Sequence, residues 1–216
     1  MSIYISKKKI IDETDWQNTN AGTNLVKNVQ VLNSQNQPDG SGTSKDFSFS
    51  APQKGDWWFH QIPLNISFRE NDVFTVSAFA TLTGPKAADG LYKVTIFNQD
   101  TSACYDPNAD LVFLKAGQRS SKTIKVNADS DPNKPPMLLI YSGKAGSTAG
   151  NTIHVQDVKL ERGSVATQWS PAPEDLILRS EFDDLKAKVE SLTKSINGGV
   201  AAHLQNSYAP LEMEAA

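Results

Sequence analysis

Two tryptophans stand side by side in residues 56–60, Asp-Trp-Trp-Phe-His, and are the clearest candidates for ligand chemistry in this sequence. Neighbouring residues of a regular strand face opposite sides of a sheet, so at most one of Trp57 and Trp58 can enter the core. An exposed indole beside amides and acids suits the flat apolar face of a sugar ring. We therefore predict a carbohydrate-binding site that includes both residues. The alternative is that both rings pack at a corner of a sheet.

Five further side chains complete the predicted carbohydrate-binding site. His60 follows the tryptophans directly, and four candidates lie in or beside predicted loops: Tyr92, Asn98, Tyr105 and Asp106. Side chains of these types can bind the hydroxyls of a sugar whose apolar face stacks on an aromatic ring.

No set of residues has the spacing of a catalytic site. His60, His154 and His203 are far apart and fit no zinc-ligand pattern. Residues 146–150, Gly-Ser-Thr-Ala-Gly, resemble a nucleophile elbow, but Thr148 stands in the nucleophile's place and no helix follows. Acids are plentiful, and none is singled out as half of a glycosidase pair. We expect no catalytic residues and a protein that is not an enzyme.

Two segments begin like calcium-binding loops. They are Asp106-x-Asn108-x-Asp110 and Asp129-x-Asp131-x-Asn133. Both lack the glycine at the sixth position and the acid at the twelfth that an EF-hand loop uses. Turn formation explains both segments, so we expect no metal and no cofactor. An irregular calcium site of the kind found in β-sandwiches stays open as an alternative.

Composition argues against several other functions. Lys+Arg 21 against Asp+Glu 24 gives a formal net charge of -3, which provides no electrostatic footprint for nucleic acid or an anionic membrane. The single cysteine, Cys104, allows neither an intramolecular disulfide nor a cysteine-based zinc site. No apolar run approaches the ~20 residues of a membrane span, and residues 1–16 lack the apolar core of a secretory signal.

Short runs rich in Val, Ile, Thr and aromatics alternate with clusters of turn-forming residues between 24 and 160. We predict strands at 25–32, 47–49, 57–62, 72–82, 92–98, 111–114, 121–126, 137–141 and 152–160. The predicted turns between them include 37–42, 84–90, 105–110, 129–136 and 142–150. Many short strands without helices between them indicate an antiparallel β-sandwich or jelly roll.

One predicted strand contains an irregularity. In 152–160 the apolar alternation changes parity between Val155 and Val158. A regular strand keeps a strict two-residue period, so we predict a β-bulge near Gln156 and Asp157.

Residues 173–197 change to a helical pattern and predict a coiled-coil helix. Pro173 precedes two acids at the predicted start, and Asn-Gly-Gly from 197 ends the helix. Apolar residues recur at spacings of 4, 3, 4, 3 and 4, which is an a/d seam: Leu178, Phe182, Leu185, Val189, Leu192 and Ile196. Such a helix is marginal alone in water. It either packs on its own β domain or, as we favour, self-associates as a dimer or trimer.

The two ends of the chain are predicted to be docking segments. Residues 1–23 hold one short apolar alternation and then a polar stretch, which indicates an arm that docks on a partner or a frayed terminus. Residues 198–216 form a C-terminal tail, either a short returning helix or a second docking segment.

Two stretches carry a family resemblance: residues 140–153, Ile-Tyr-Ser-Gly-Lys-Ala-Gly-Ser-Thr-Ala-Gly-Asn-Thr-Ile, and residues 158–175, which include Gln-Trp-Ser-Pro-Ala-Pro. Together with Asn-Leu-Val at 24 and the run 74–80, they resemble carbohydrate-binding-module-like β-sandwiches in tail-fibre, baseplate and distal-tail proteins of phages. These phages infect Gram-positive bacteria, lactic acid bacteria especially. The resemblance covers residues 24–175.

The resemblance implies a galactose-binding-like jelly roll over 24–172, followed by the coiled coil. It implies a virion protein of the tail or baseplate, assembled in the host cytoplasm, that adheres to a host cell-wall saccharide. Trimers are usual in such proteins, and the arm and tail would contact other tail proteins. No further head domain follows the coil, so a purely structural connector subunit without sugar binding is the alternative.

Overall fold

The computed structural model describes residues 4–5, 8–9, 22–176 and 184–196. The chain forms two compact units, Met1–Asp175 and Leu176–Ala216. The described strands of the first unit are β1 Tyr4–Ile5, β2 Lys8–Lys9, β3 Gln30–Leu32, β4 Pro38–Thr43, β5 Asp46–Ser50, β6 Phe59–Pro63, β7 Val73–Thr83, β8 Leu91–Tyr92, β9 Val94–Asn98, β10 Leu114–Lys115, β11 Arg119–Lys125, β12 Pro136–Tyr141 and β13 Thr152–Arg162. A 3-10 helix, Pro173–Asp175, follows them.

Nine of these strands form one antiparallel sheet in the order β11-β7-β13-β5-β4-β3-β6-β12-β9, while β8 pairs with β10 and β1 with β2. In a flat sheet β11 and β9 would lie about 38 Å apart, eight strand spacings. Lys122 Nζ of β11 nevertheless lies 3.4 Å from the Val94 carbonyl oxygen of β9. The sheet therefore folds over on itself, and the predicted mainly antiparallel β fold is confirmed.

Side chains from both halves of the folded sheet share one core. Its largest contributors include Phe47, Phe49, Ile62, Phe74, Val76, Ile96, Leu138, Ile140, Val155 and Leu160. Burial of each such side chain contributes about 1.5–3 kcal/mol, which supplies the stability of a unit without a disulfide. Strand β12 is buried on both faces. On its outer face Met137, Leu139 and Tyr141 form a second, smaller cluster.

The predicted β-bulge is confirmed in β13. The pairing of β13 with β7 shifts register between Gln156 and Lys159, and Asp157 has a φ of 54°. The Asp157 amide donates to the Lys45 carbonyl at 2.8 Å. The extra residue lets Val155 and Val158 both face the core, where they are 0% and 2% exposed.

Strand β4 corrects the prediction of a turn at 37–42. Its sequence, Pro-Asp-Gly-Ser-Gly-Thr, has low strand propensity, and close backbone approach explains why a strand forms here. Gly42 has a φ of +127°, and a Cβ there would lie 2.9 Å from Phe47 Cα. Glycine is therefore the residue that lets β4 pair with β5.

Other predicted strands are shorter or divided. Of 25–32, the part before Gln30 is irregular, since the Leu25 amide bonds the Leu160 carbonyl instead at 2.7 Å. Of 111–114, only Leu114 is in a strand. The run 92–98 is divided between β8 and β9, which belong to different sheets.

The segment after β13 returns over the outside of that strand. Lys159 and Glu161 point outward from β13, yet their side chains are 1% and 0% exposed. Glu161 accepts a hydrogen bond from the Thr167 amide at 2.8 Å, and Lys159 Nζ donates to the Gln168 carbonyl at 2.8 Å. These buried charges hold the Gly-Ser-Val-Ala-Thr-Gln stretch in place.

The predicted coiled-coil region is described only in part. Residues 173–175 form a 3-10 turn whose Asp175 carboxylate accepts from the Asn28 amide at 2.8 Å. A helix spans 184–196. Its apolar residues are 55–64% exposed: Leu185, Val189, Leu192 and Ile196. Leu178 and Phe182 lie outside the described residues, as do the tail 198–216 and most of the arm 1–23, so the coiled coil stays a prediction.

No helix among the described residues is long and apolar enough to span a membrane.

Candidate functional site

The tryptophan pair lies in the loop that precedes β6. Trp57 is 56% exposed, whereas Trp58 is partly buried and packs against the core. Only Trp58 packs against the core, as predicted, but both residues lie before β6 and not in the predicted strand 57–62, so strand alternation is not the reason. Trp57 is therefore the exposed aromatic residue that the predicted carbohydrate-binding site requires.

The loop of Trp57 is fixed by hydrogen bonds to its backbone before and after Trp57 in the chain. Thr148 Oγ1 accepts from the Trp58 amide at 2.9 Å and donates to the Gly55 carbonyl at 3.4 Å. Asn151, which is fully buried, donates in turn to the carbonyls of Ser142 and Ser147 at 2.8 and 3.1 Å. The segment that resembles a nucleophile elbow is therefore scaffolding for the Trp57 loop.

Lys93 lies beneath this surface and joins three groups. Its side chain is 3% exposed, and Nζ donates to Asp110 Oδ1 at 2.6 Å. The same nitrogen lies 5.5 Å from the centre of the Trp57 ring and 4.9 Å from that of Tyr141, distances at which an ammonium is attracted to an aromatic face. Burial raises the pKa of the Tyr141 phenol, which stays protonated near neutral pH.

The exposed surface around Trp57 combines carboxylates with apolar side chains. The Asp110 side chain is 58% exposed, and it is followed by Leu111 and Val112, which are 74% and 45% exposed. Asp56, next to Trp57, pairs with Lys86, and that hydrogen bond lowers the pKa of the Asp56 carboxyl. A ligand at Trp57 would meet an aromatic ring and hydrogen-bond acceptors.

His60 is a correction to the predicted site. It is 2% exposed, its ring stacks on Phe49 with 3.9 Å between centroids, and Nε2 lies 2.7 Å from Asp39 Oδ2. Alternation along β6 turns His60 inward, towards the core, so it does not reach a surface ligand.

Tyr92, Asn98 and Tyr105 are also buried, at 0–3% exposure, and cannot contact a surface ligand. Burial raises the pKa of the Tyr92 phenol. Asn98 donates to Ser102 Oγ at 2.9 Å and so shapes its own turn. The Tyr105 ring packs edge-on against Phe68, with 4.9 Å between centroids. Their positions beside loops suggested exposure, but the folded sheet covers them.

Asp106 is buried within the first calcium-like segment and pairs with an ammonium group. Lys122 Nζ lies 2.6 Å from Asp106 Oδ2 and 3.2 Å from the Asn108 carbonyl oxygen. Asp110, the second acid of the motif, binds Lys93. The ammonium groups of Lys122 and Lys93 thus pair with the two acids of this segment. Asp106 is buried and cannot contact a sugar.

The second calcium-like segment forms turns. Asp129 Oδ1 accepts from the Glu70 amide at 2.7 Å, and Asp131 Oδ1 accepts from the Asn133 amide at 2.8 Å. Among the residues that the structure describes, no three His, Cys, Asp or Glu side chains gather as a metal site would require.

A groove of about 920 Å³ lies at the opposite end of β6 from Trp57. It is lined by residues of 64–72 and 129–136 together with Leu25 and Arg162. Arg162 pairs with Asp72 across it at 3.0 Å. Its one aromatic lining residue, Phe68, is 4% exposed, so the groove offers no stacking platform of the kind that Trp57 provides.

The sequence missed three residues that build the Trp57 surface: Lys93, Asp110 and Thr148. Lys93 is the one charged residue in the otherwise apolar and neutral run 92–98. A charged side chain within a buried strand needs a partner of opposite charge or a hydrogen bond, so this position could have been singled out from the sequence. Asp110 and Thr148 had no comparable signal, because their partners are remote in sequence.

No protein-family model matches the sequence, and no curated protein matches it. Among solved structures, the chain is similar to the N-terminal cellulose-binding domain of Cellulomonas fimi β-1,4-glucanase C, with 12% identity over 56% of this chain and 79% of that chain and a TM-score of 0.39. It is also similar to the BppUct-A-L tripod of the bacteriophage Tuc2009 baseplate, with 16% identity over 72% of this chain and 60% of that chain and a TM-score of 0.38. A family 29 carbohydrate-binding module has 13% identity over 72% of this chain and 92% of that chain, with a TM-score of 0.36.

Proposed function

We propose that this protein is a non-enzymatic saccharide-binding module and that Trp57 is its principal contact. The observation that carries the proposal is a 56% exposed indole, held by a loop that Thr148 fixes and lying above the Lys93 ammonium. An exposed aromatic ring in a rigid loop binds the apolar face of a sugar with little loss of conformational entropy.

The charges beside Trp57 favour binding over hydrolysis. A glycosidase needs a carboxylic acid with a raised pKa as its proton donor. The pKa of Asp56 is instead lowered by its hydrogen bond with Lys86, and Asp110 is engaged by Lys93. Both groups are suited to accept hydrogen bonds from sugar hydroxyls.

We propose further that the module serves a phage tail or baseplate, as part of the virion, and adheres to a saccharide of the host cell wall. The support is the sequence resemblance of residues 140–153 and 158–175, whose buried Asn151, Lys159 and Glu161 hold the loops and the segment after β13 in place. The seam of helix 184–196 would join copies of the chain, with a trimer favoured and a dimer as the alternative. Other tail proteins would contact the arm or the tail.

A second candidate function is a structural connector without sugar binding. Leu111 and Val112 favour it, because two exposed aliphatic side chains that directly follow Asp110 also suit a protein contact. In this case the Trp57 surface would be an assembly interface of the virion.

The two functions are separated by a glycan array that carries bacterial cell-wall oligosaccharides. The proposed function predicts binding that Trp57→Ala abolishes and that the double variant Leu111→Ala/Val112→Ala retains. Fluorescence titration of the positive glycans checks the array, since a sugar stacked on Trp57 changes its emission. A blank array together with a blank host-cell binding assay would overturn the saccharide proposal and leave the connector.

A further inference from the structure

The backbone of Lys93 is fixed between two strands at the candidate site. Lys93 lies between β8 and β9; its amide donates to the Gly143 carbonyl at 2.9 Å, and its carbonyl accepts from the Tyr141 amide at 3.0 Å. The side chain therefore starts from a rigid point at the end of β12. It extends to an ammonium that is almost entirely shielded from solvent, at 3% side-chain exposure.

Two loops from distant parts of the chain meet at this ammonium. One carries Trp57, whose ring centre is 5.5 Å from Nζ, and the other carries Asp110, whose Oδ1 is 2.6 Å from Nζ. The centre of the Tyr141 ring is 4.9 Å from the same nitrogen. A buried ammonium needs such partners, because leaving the charge without them is costly.

We propose that Lys93 is a positioning residue that joins Trp57 and Asp110 into one binding surface for an uncharged saccharide. The inference rests on the proposed function. The ammonium covers one face of the indole and leaves the exposed remainder of the ring for a sugar. It engages one carboxylate oxygen of Asp110, so the other oxygen is left to accept a sugar hydroxyl.

The charge distribution sets the ligand class. At the Lys93–Asp110 pair the cation is buried, whereas the carboxylate is 58% exposed. A ligand that approaches Trp57 from the side of Asp110 therefore meets a negative group with its counter-charge behind it. Anionic saccharides are disfavoured by this arrangement, and uncharged saccharides with free hydroxyls are accepted.

The test uses the full chain and three hexasaccharides, namely cellohexaose, chitohexaose and hexagalacturonate, with binding measured by calorimetry. We expect an uncharged hexasaccharide to bind and hexagalacturonate to bind less. Lys93→Met should weaken binding about ten-fold, the equivalent of about 1.4 kcal/mol, while Lys93→Arg should recover part of the loss. Lys134→Met is the matched control, because Lys134 pairs with Asp100 at 2.7 Å on exposed surface away from Trp57.

A second measurement does not depend on a ligand. In protein labelled with 5-fluorotryptophan, Lys93→Met should shift or broaden the fluorine resonance of Trp57, assigned with Trp57→Phe, and leave that of Trp58 in place. Asp110→Asn serves if Lys93→Met fails to fold, because the amide oxygen of the new side chain can still accept from the Lys93 ammonium, whereas the second carboxylate oxygen is replaced by a donor. It should weaken binding of the uncharged sugar as well.

The outcomes separate the two proposals. Loss of binding in Trp57→Ala together with wild-type affinity and an unchanged Trp57 resonance in Lys93→Met would overturn the role of Lys93 and leave the proposed function standing. Preferred binding of hexagalacturonate would overturn the ligand class. Absence of binding to all three probes by the wild type would overturn both the role and the class.

Discussion

Lys122 Nζ lies 2.6 Å from Asp106 Oδ2, and the two side chains are 0% and 1% exposed. The pair joins β11 to the loop after β9, the two edges of the folded sheet. The ammonium is further bound by the Asn108 and Val94 carbonyl oxygens at 3.2 and 3.4 Å. The closure of the sheet at this edge is therefore ionic in part.

Removing one partner of this pair should destabilise the fold strongly. Lys122→Met leaves the Asp106 carboxylate buried without its cation, and we expect a loss of about 3–5 kcal/mol in the free energy of unfolding. Urea denaturation measures the loss. The double variant Lys122→Met/Asp106→Leu should recover much of it, because no charge is then left unpaired. Losses that simply add in the double variant would contradict this account.

Gly42 and Gly40 provide a matched pair of substitutions in β4. Both have positive φ, but a Cβ at Gly42 would collide with the backbone of β5, whereas a Cβ at Gly40 meets nothing within 4 Å. Gly40→Ala should lower the free energy of unfolding by about 1–2 kcal/mol through backbone strain alone. Gly42→Ala should cost clearly more. Equal losses in thermal or urea unfolding would show that the close approach of β4 and β5 is not required.

The Asp39–His60 pair should make stability depend on pH in the acid range. Burial raises the pKa of Asp39, but hydrogen bonds from His60 and Ser41 outweigh it, so the net pKa is lowered. A lowered folded-state pKa stabilises the protein above the unfolded value of about 3.9, and this contribution is lost as the pH falls through the folded value.

Asp39→Asn tests this dependence. The variant should be less stable than the wild type at pH 6, and the difference should shrink towards pH 2 as the wild-type carboxyl takes up its proton. Urea unfolding at the two pH values measures it. A difference that stays constant between them would assign the effect to packing rather than to ionisation.

The exposed seam of helix 184–196 should make thermal stability depend on protein concentration, because an oligomer gains stability by mass action. Leu185→Asp places a charge in the seam and should remove this dependence and reduce the mass in solution. Ala187→Asp, two residues along the helix and off the seam, is the control and should leave both unchanged. A monomeric mass for the wild type, unaltered by Leu185→Asp, would contradict the coiled coil.

Local patterns in the sequence were sufficient for several structural features. The parity change between Val155 and Val158 predicted the bulge of β13, because a strand that keeps both residues in the core must gain a residue. The tryptophan pair predicted one exposed indole, and Trp57 is exposed, although both residues lie in the loop before β6 and not in the strand that the prediction assumed. These inferences depend only on residues within a few positions of one another, so the amino-acid sequence is sufficient for them.

The tertiary structure alone decided which polar residues form the site. His60, Tyr92 and Asp106 look like surface residues in the sequence, and the folding of the sheet buries them. The sequence likewise gave no reason to join Trp57 with Asp110, because both contact Lys93 only after two distant loops meet. Strand β4 was missed for a related reason: its Gly42 is required by a close backbone approach to β5. Contacts between remote segments arise from the packing of the whole sheet, which no local pattern specifies.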